Sequence, residues 1–156
     1  GLIHLMMPNA KIIDARRYSL DCCFSMFKQL FAQGQEFSYG LAEAGSYYNS
    51  YIKLMDHWDT VLPGKILRIN NEDIIEDLDG QVARMLDYLE LPFEEECISF
   101  YETNRSVRTA SSEQVRRPVN KDGVARWKPY IKNLKPLLQS LDNELVKPED
   151  IALITS

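Results

Sequence analysis

Two short β-branched runs, "KIIDA" (11–15) and "KILRI" (65–69), most constrain what this chain can fold into. Both are apolar and of strand length. Pro8-Asn9 precedes the first and Pro63-Gly64 precedes the second, as turn signals should. The stretch between them carries two helical patterns. A connection of that kind is a crossover rather than a hairpin, so the second strand returns parallel to the first. The order strand, helix, helix, strand, helix, helix gives an α/β class with a parallel sheet. Only two strands are legible, and parallel sheets need both faces and both edges covered. Further strands are therefore expected upstream of Gly1, in keeping with a sequence that opens inside the apolar pattern "GLIHLMM" rather than at a Met.

The helical patterns can be placed more closely. Over 20–33, Cys23, Phe27, Leu30 and Phe31 make one face, while Asp21, Ser25 and Gln29 share another. Ser19 fits an N-cap and Gly34 a C-terminal stop. A second helix is predicted over 41–61, with Tyr48, Tyr51, Ile52, Met55 and Trp58 as its stripe. A third is predicted over 79–90, with Val82, Met85, Leu86 and Leu89 inward and Leu91-Pro92 as the break. Residues 94–103 read as a further short helix. From 123 to 141 a helical pattern is interrupted by Pro129 and Pro136. The tail after Asp142 is weakly patterned.

Length and composition bound the class. The 156 residues suffice for a single domain with a real core, and 45% hydrophobic content is ordinary for one. The net charge of −5 argues against nucleic acid or an anionic membrane as main partner. No run reaches transmembrane length, and the first line has neither a basic n-region nor a cleavage site. The cysteines, Cys22, Cys23 and Cys97, form an odd set with one adjacent pair. That is no disulfide framework and offers no zinc spacing, so they read as reduced, half-buried thiols and no metal is expected.

Against this acidic background one segment stands out: "RSVRTASSEQVRRPVNKDGVARWK", 105–128. It carries Arg105, Arg108, Arg116, Arg117, Lys121, Arg126 and Lys128 against Glu113 and Asp122 alone. Small hydroxyls crowd its front half. Hydroxyls, amides and backbone N–H groups on a loop can make an anion nest. The alternative is a solvated loop that balances acidic helices.

A second candidate is "RRYSLDCCFS", 16–25. Arg17 follows a strand and precedes a helix, where ligands of open α/β sheets bind. A helix N-terminus there offers free N–H groups to phosphate, and Arg17 adds a planar fork. Ser25 and Gln29 extend the polar face. The alternative is that Arg16 and Arg17 merely neutralise Asp14 and Asp21.

These stretches resemble a known family. "PNAKIIDARRYSLDCCFS" is similar to the 3′-phosphate-binding strand and helix of sulfotransferases that use 3′-phosphoadenosine-5′-phosphosulfate (PAPS), where an Arg after a strand is followed eight residues later by Ser. Arg17 and Ser25 have that spacing. "SSEQVRRPVNKDGVARW" resembles the C-terminal cofactor loop of tyrosylprotein sulfotransferases and the related bacterial sulfotransferase domain. "GLIHLMMPNAKIIDARR" and "MDHWDTVLPGKILRI" also resemble that bacterial group, so the likeness spans residues 1–130.

The resemblance implies an α/β fold, mostly helical, with the remnant of a parallel sheet from a P-loop-like sulfotransferase fold. Residues 1–156 would be the C-terminal part of such a domain. Arg17 and Ser25 would hold the 3′-phosphate. Ser111, Ser112, Gln114, Arg117 and Asn120 would wrap the nucleotide, with Arg126 meeting phosphate. The implied cofactor is PAPS, or its product 3′-phosphoadenosine-5′-phosphate, and the implied partner a hydroxyl acceptor of unknown identity. The phosphosulfate loop and the base are expected upstream of Gly1. His4 and His57 have no ordered partner apparent from sequence.

Two positions depart from the family's pattern. Asn71 stands where relatives place Tyr before Glu-Asp, and a Pro common at Tyr18-Ser19 is missing. Cysteine usage and the bacterial likeness make a cytoplasmic location the expectation, and a face left open by truncation would favour self-association. Two other readings are a non-catalytic nucleotide- or phosphate-binding module and a helical interaction domain presenting Tyr47 to Trp58. The sulfotransferase reading expects Arg17 and the 111–126 loop to converge at the N-terminus of the following helix. The simple module expects no preference for a 3′-phosphate over ATP, and the interaction domain expects a large exposed apolar patch on its helix.

Overall fold

The two β-branched runs form strands β1 (Ile12–Arg16) and β2 (Ile66–Asn70), paired in parallel with Ile12 opposite Ile66 and Arg16 opposite Asn70. The computed structural model describes residues 1–31, 33–103 and 114–155. Seven α-helices are described: α1 (Leu2–Met6), α2 (Ser19–Lys28), α3 (Leu41–Val61), α4 (Asn71–Glu76), α5 (Leu78–Leu89), α6 (Lys135–Ser140) and α7 (Pro148–Thr155). Short 3₁₀ turns join them. The α/β expectation holds: the chain is mostly helical, with a small two-stranded parallel sheet. Its contacts divide it into two compact units, Gly1–Arg16 with Gly64–Lys121, and Arg17–Pro63 with Asp122–Ser156.

The first unit is the sheet with α1, α4 and α5. The stripe predicted for α5 faces inward: Val82 is buried and Met85, Leu86 and Leu89 are half-buried. Tyr88 ties the helix to β1 and to the residue that leads into β2, because its hydroxyl accepts from Ile12 N at 3.2 Å and donates to the Lys65 carbonyl at 2.6 Å. Glu90 ends α5 in the left-handed region (φ 60), with Leu91 N returning to the Leu86 carbonyl. Lys11 reaches Glu90 at 2.6 Å and holds its carboxyl below the usual range. Asp14 is nearly buried in β1. Arg16 at 3.0 Å and Arg68 at 3.8 Å, the latter on the opposite strand, compensate its charge.

The second unit is helical. Leu20, Cys23 and Phe24 of α2 pack with Ala44 and Tyr48 of α3, and with Trp127, Leu134, Leu137, Leu141 and Val146. Helices α3 and α6 approach closely at Gly45, where an added Cβ would stand 2.0 Å from Ser140 Oγ and 3.2 Å from Leu137. Asn49 seals the end of α6. Its amide donates to the Ser140 carbonyl and to Asp142, and its Oδ1 accepts from Asp142 N.

Several boundaries differ from the expectation. Helix α2 stops at Lys28 rather than at residue 33, because Gln29 turns to extended backbone. Gly34 takes a positive φ in a turn beyond it and is not its stop. Ser19 is the first helical residue and not the cap, since Tyr18 holds that position and the Ser19 hydroxyl donates to the Leu145 carbonyl. Residues 94–103 form two 3₁₀ turns, Glu95–Cys97 and Phe100–Glu102, instead of a helix. Helices α1, α4 and α7 add to the pattern read from sequence. The cysteines are free, as expected, but Cys23 is fully buried while Cys22 and Cys97 are half-buried.

Candidate functional site

The strand–helix turn builds the site around Arg17. Tyr18, at the cap of α2, supplies no side-chain cap to the helix, so the first-turn N–H groups lack that partner. The Arg17 carbonyl accepts from the buried Tyr48 hydroxyl at 2.6 Å. Its guanidinium donates from Nη2 to the Gly123 carbonyl, while Nε is buried with no hydrogen-bond partner. Buried polar atoms are nearly always paired, so an unpaired Nε beside a helix N-terminus marks a place for an acceptor.

The far end of the basic segment arrives at the same turn. Asp21, 4% exposed in the first turn of α2, accepts from Ala125 N at 2.7 Å. Ala125 sits at φ 57, a conformation that costs a residue with a Cβ about 1 kcal/mol and needs fixing from outside. Trp127, 1% exposed, anchors the segment in the core, with Lys128 5.9 Å from its ring centre. Arg126 is exposed between these two anchors. Gly123 leaves room for Arg17, since a Cβ there would lie 3.1 Å from Nη2. Thus Arg17 meets Gly123, and Ala125 meets Asp21, at the α2 N-terminus; of the rest of the expected 111–126 loop, residues 111–113 lie outside the described residues.

The other predicted residues fall as follows. Ser25 is exposed on α2, one turn beyond Asp21 on the same face. Gln114 opens a 3₁₀ turn, Gln114–Arg116, in the first unit. In that unit Arg116 donates to the Thr103 carbonyl, Arg117 is exposed, and Asn120 donates to the Pro118 carbonyl at 3.0 Å. Ser111 and Ser112 lie outside the described residues, as do Arg105 and Arg108. The neutralisation reading holds for Arg16, which pairs with Asp14.

Asp21, Gly123, Tyr48 and Trp127 also build the surroundings of the Arg17 turn, and sequence reasoning assigned them no place in the site. Tyr48 and Trp127 carry ordinary core signals. A carboxylate bonded to a backbone N–H 104 residues away has no local pattern to find it by.

Of the two histidines, His57 is exposed on α3 with its ring edge-on to Trp58, and His4 is half-buried on α1. The stripe of α3 runs into the core, with Tyr48 buried and Tyr51 and Ile52 packed beside it. A shallow hollow of about 380 Å³ lies at Phe37, Glu43 and Tyr47 and is lined by none of the predicted site residues. Among the described residues, no helix is long and apolar enough to cross a membrane.

The profile described as "Sulfotransferase family" matches residues 1–95. An uncharacterized protein of Aquifex aeolicus (strain VF5) is 35% identical over 153 residues, an alignment covering 96% of this chain and 20% of that protein. The chain thus spans about a fifth of the length of the curated relative it matches.

Proposed function

The chain belongs to the sulfotransferase family, and on that premise we propose that it carries the 3′-phosphate-binding part of a PAPS-dependent sulfotransferase. The activity of the whole protein would be transfer of a sulfuryl group from PAPS to a hydroxyl acceptor. The observation that carries this reading is the meeting of Arg17 and residues 123–127 at the N-terminus of α2, with Arg17 Nε buried and unpaired.

The residues fit the group. A phosphate dianion beside Arg17 would accept from Nε, draw on the helix N-terminus, and gain from Arg126. Ser25 would add a hydroxyl donor along the same helix. Ser111, Ser112, Gln114, Arg117 and Asn120 are proposed to line the nucleotide. When bound, PAPS supplies the activated sulfuryl group. What these residues contribute is grip and orientation, which is the larger part of catalysis for such transfers.

The reading as a helical interaction domain is weakened, because Tyr48, Tyr51 and Ile52 of the α3 stripe are spent on the core. A phosphate-binding module without transfer shares the same Arg17 site and differs in selectivity.

Backbone amide resonances test the proposal. Titration with 3′-phosphoadenosine-5′-phosphate is expected to shift Leu20, Asp21, Gly123 and Ala125, while ATP at equal concentration leaves them in place. Equal shifts with both ligands favour the simple phosphate module. No shift at these four sinks the assignment.

A further inference from the structure

The turn that carries Arg17 is held from a segment far away in the sequence. Tyr18 caps α2 with an extended backbone (φ −50, ψ 137). No glycine or proline presets the path from Arg17 into the helix. The side chains of Tyr18 and Ser19 instead reach the C-terminal segment. The Tyr18 phenol donates to Asp150 Oδ2 at 2.7 Å and accepts from Lys147 N at 3.0 Å. A phenol bonded as both donor and acceptor has its ring direction fixed. Ser19, 2% exposed, donates from its hydroxyl to the Leu145 carbonyl.

The C-terminal side is equally tied. Asp150, 4% exposed, lies in the first turn of α7, and its own N–H returns to the Lys147 carbonyl at 2.9 Å. The Lys147 ammonium stands 5.1 Å from the centre of the Tyr18 ring. Val146, 5% exposed, packs into the core between the two anchor points. Burial and the neighbouring Asp150 carboxylate push the Tyr18 phenol well above its ordinary range, so it stays protonated and able to donate.

We propose that residues 145–150 act as a positioning clamp for the Arg17 turn, with Tyr18 and Ser19 as the positioning residues that transmit it. This rests on the phosphate-site reading of Arg17. The Tyr18 and Ser19 hydroxyls are committed to the clamp, so their effect on a ligand runs through Arg17. An arginine on an unrestrained turn loses more freedom on binding phosphate. Holding the turn in advance removes part of that loss.

The experiment uses the full chain with Tyr18→Phe, which keeps the ring and removes the hydroxyl, and Ser19→Ala as a second variant. Hydrogen exchange is measured at the amides of residues 22–24 in α2 and, as reference, across the middle of α3. Exchange in α2 is expected to quicken about five- to tenfold in Tyr18→Phe, the effect of losing a hydrogen bond or two, with α3 unchanged. Affinities for 3′-phosphoadenosine-5′-phosphate and for 5′-AMP are then compared. The ratio between the two is expected to fall by a similar factor, because only the former carries the phosphate that Arg17 would hold. A purely structural loss weakens both ligands alike and leaves the ratio fixed.

Exchange that matches wild type in both variants overturns the clamp. So does exchange that rises uniformly through α2 and α3. A wild-type chain that fails to prefer the 3′-phosphate overturns the phosphate-site reading and, with it, the positioning role. Local exchange is still read separately in that case.

Discussion

Replacement of Asp21 separates two jobs that one carboxylate performs. Its Oδ1 accepts from Ala125 N at 2.7 Å in a nearly dry setting. Its charge also lies in the first turn of α2. Asp21→Ala leaves Ala125 N–H without this acceptor and frees a residue held at φ 57. Hydrogen bonds to charged groups contribute about 1.5–3 kcal/mol, so a loss of about 2–3 kcal/mol is expected. Asp21→Asn keeps an oxygen in place and removes only the charge from a helix N-terminus, a loss of about 0.5–1 kcal/mol. Binding should divide the other way. With one negative charge fewer at the proposed site, Asp21→Asn should bind 3′-phosphoadenosine-5′-phosphate at least as tightly as wild type. Asp21→Ala should bind it more weakly, because residues 123–127 lose their tether. Urea unfolding followed by tryptophan fluorescence reads the stability term cleanly. Trp58 and Trp127 are the chain's two tryptophans, and both belong to the second unit. Equal stability of the two variants within about 0.5 kcal/mol would refute the tether, as that is less than one hydrogen bond.

Three other outcomes follow from particular contacts. Gly45→Ala places a methyl 2.0 Å from Ser140 Oγ, so α6 must shift. A net loss of about 1–3 kcal/mol is expected despite the better helix former, with part recovered on adding Ser140→Ala; an unchanged urea midpoint contradicts it. Burial pushes the Cys23 thiol far above its ordinary range, and the Tyr18 phenol likewise. Above about pH 8.5 the unfolded chain gives up protons that the folded chain keeps, so stability falls as pH rises. A urea midpoint that climbs between pH 8 and 10 speaks against this, and so does a thiol reagent that reaches Cys23 as fast as Cys22 and Cys97 at pH 7.5. Leu2, Leu5 and Met6 of α1 are 70%, 79% and 72% exposed. Self-association of the isolated chain through this face is expected, relieved by Leu5→Glu with Met6→Glu, and a wild-type monomer by light scattering at high concentration counts against it.

What could be read from sequence was whatever periodicity records. The β-branched runs gave both strands within one residue. The stripes of α3 and α5 face inward as their spacing predicts. Arg17 between strand and helix was legible because turn, strand and helix signals meet there. Tertiary contacts decided the rest. Helix α2 ends early as the chain turns toward the 3₁₀ turn Glu36–Tyr39, where Phe37 stacks on Tyr47 at 3.7 Å and the Tyr39 hydroxyl donates to the Phe31 carbonyl. Helix α4 is six residues long with little apolar pattern. One local contact beside it joins Asn70 Nδ2 to Asp73 at 2.9 Å. The tail has little pattern of its own, and α7 is docked through Asp150 to Tyr18, 132 residues away. Within the candidate site, the charged residues announced themselves by type, whereas the Gly123 carbonyl and the Ala125 N–H are backbone groups that sequence does not display.

The most direct test of the central claim is calorimetric titration of wild type and Arg17→Ala with 3′-phosphoadenosine-5′-phosphate and with ATP. Wild type should bind the 3′-phosphate nucleotide in preference to ATP. Arg17→Ala should lose about 10- to 100-fold of that affinity, the equivalent of one or two charge-assisted hydrogen bonds, and with it the preference. Binding that is equal for the two nucleotides, or unaffected by Arg17→Ala, contradicts the assignment of Arg17 to the 3′-phosphate.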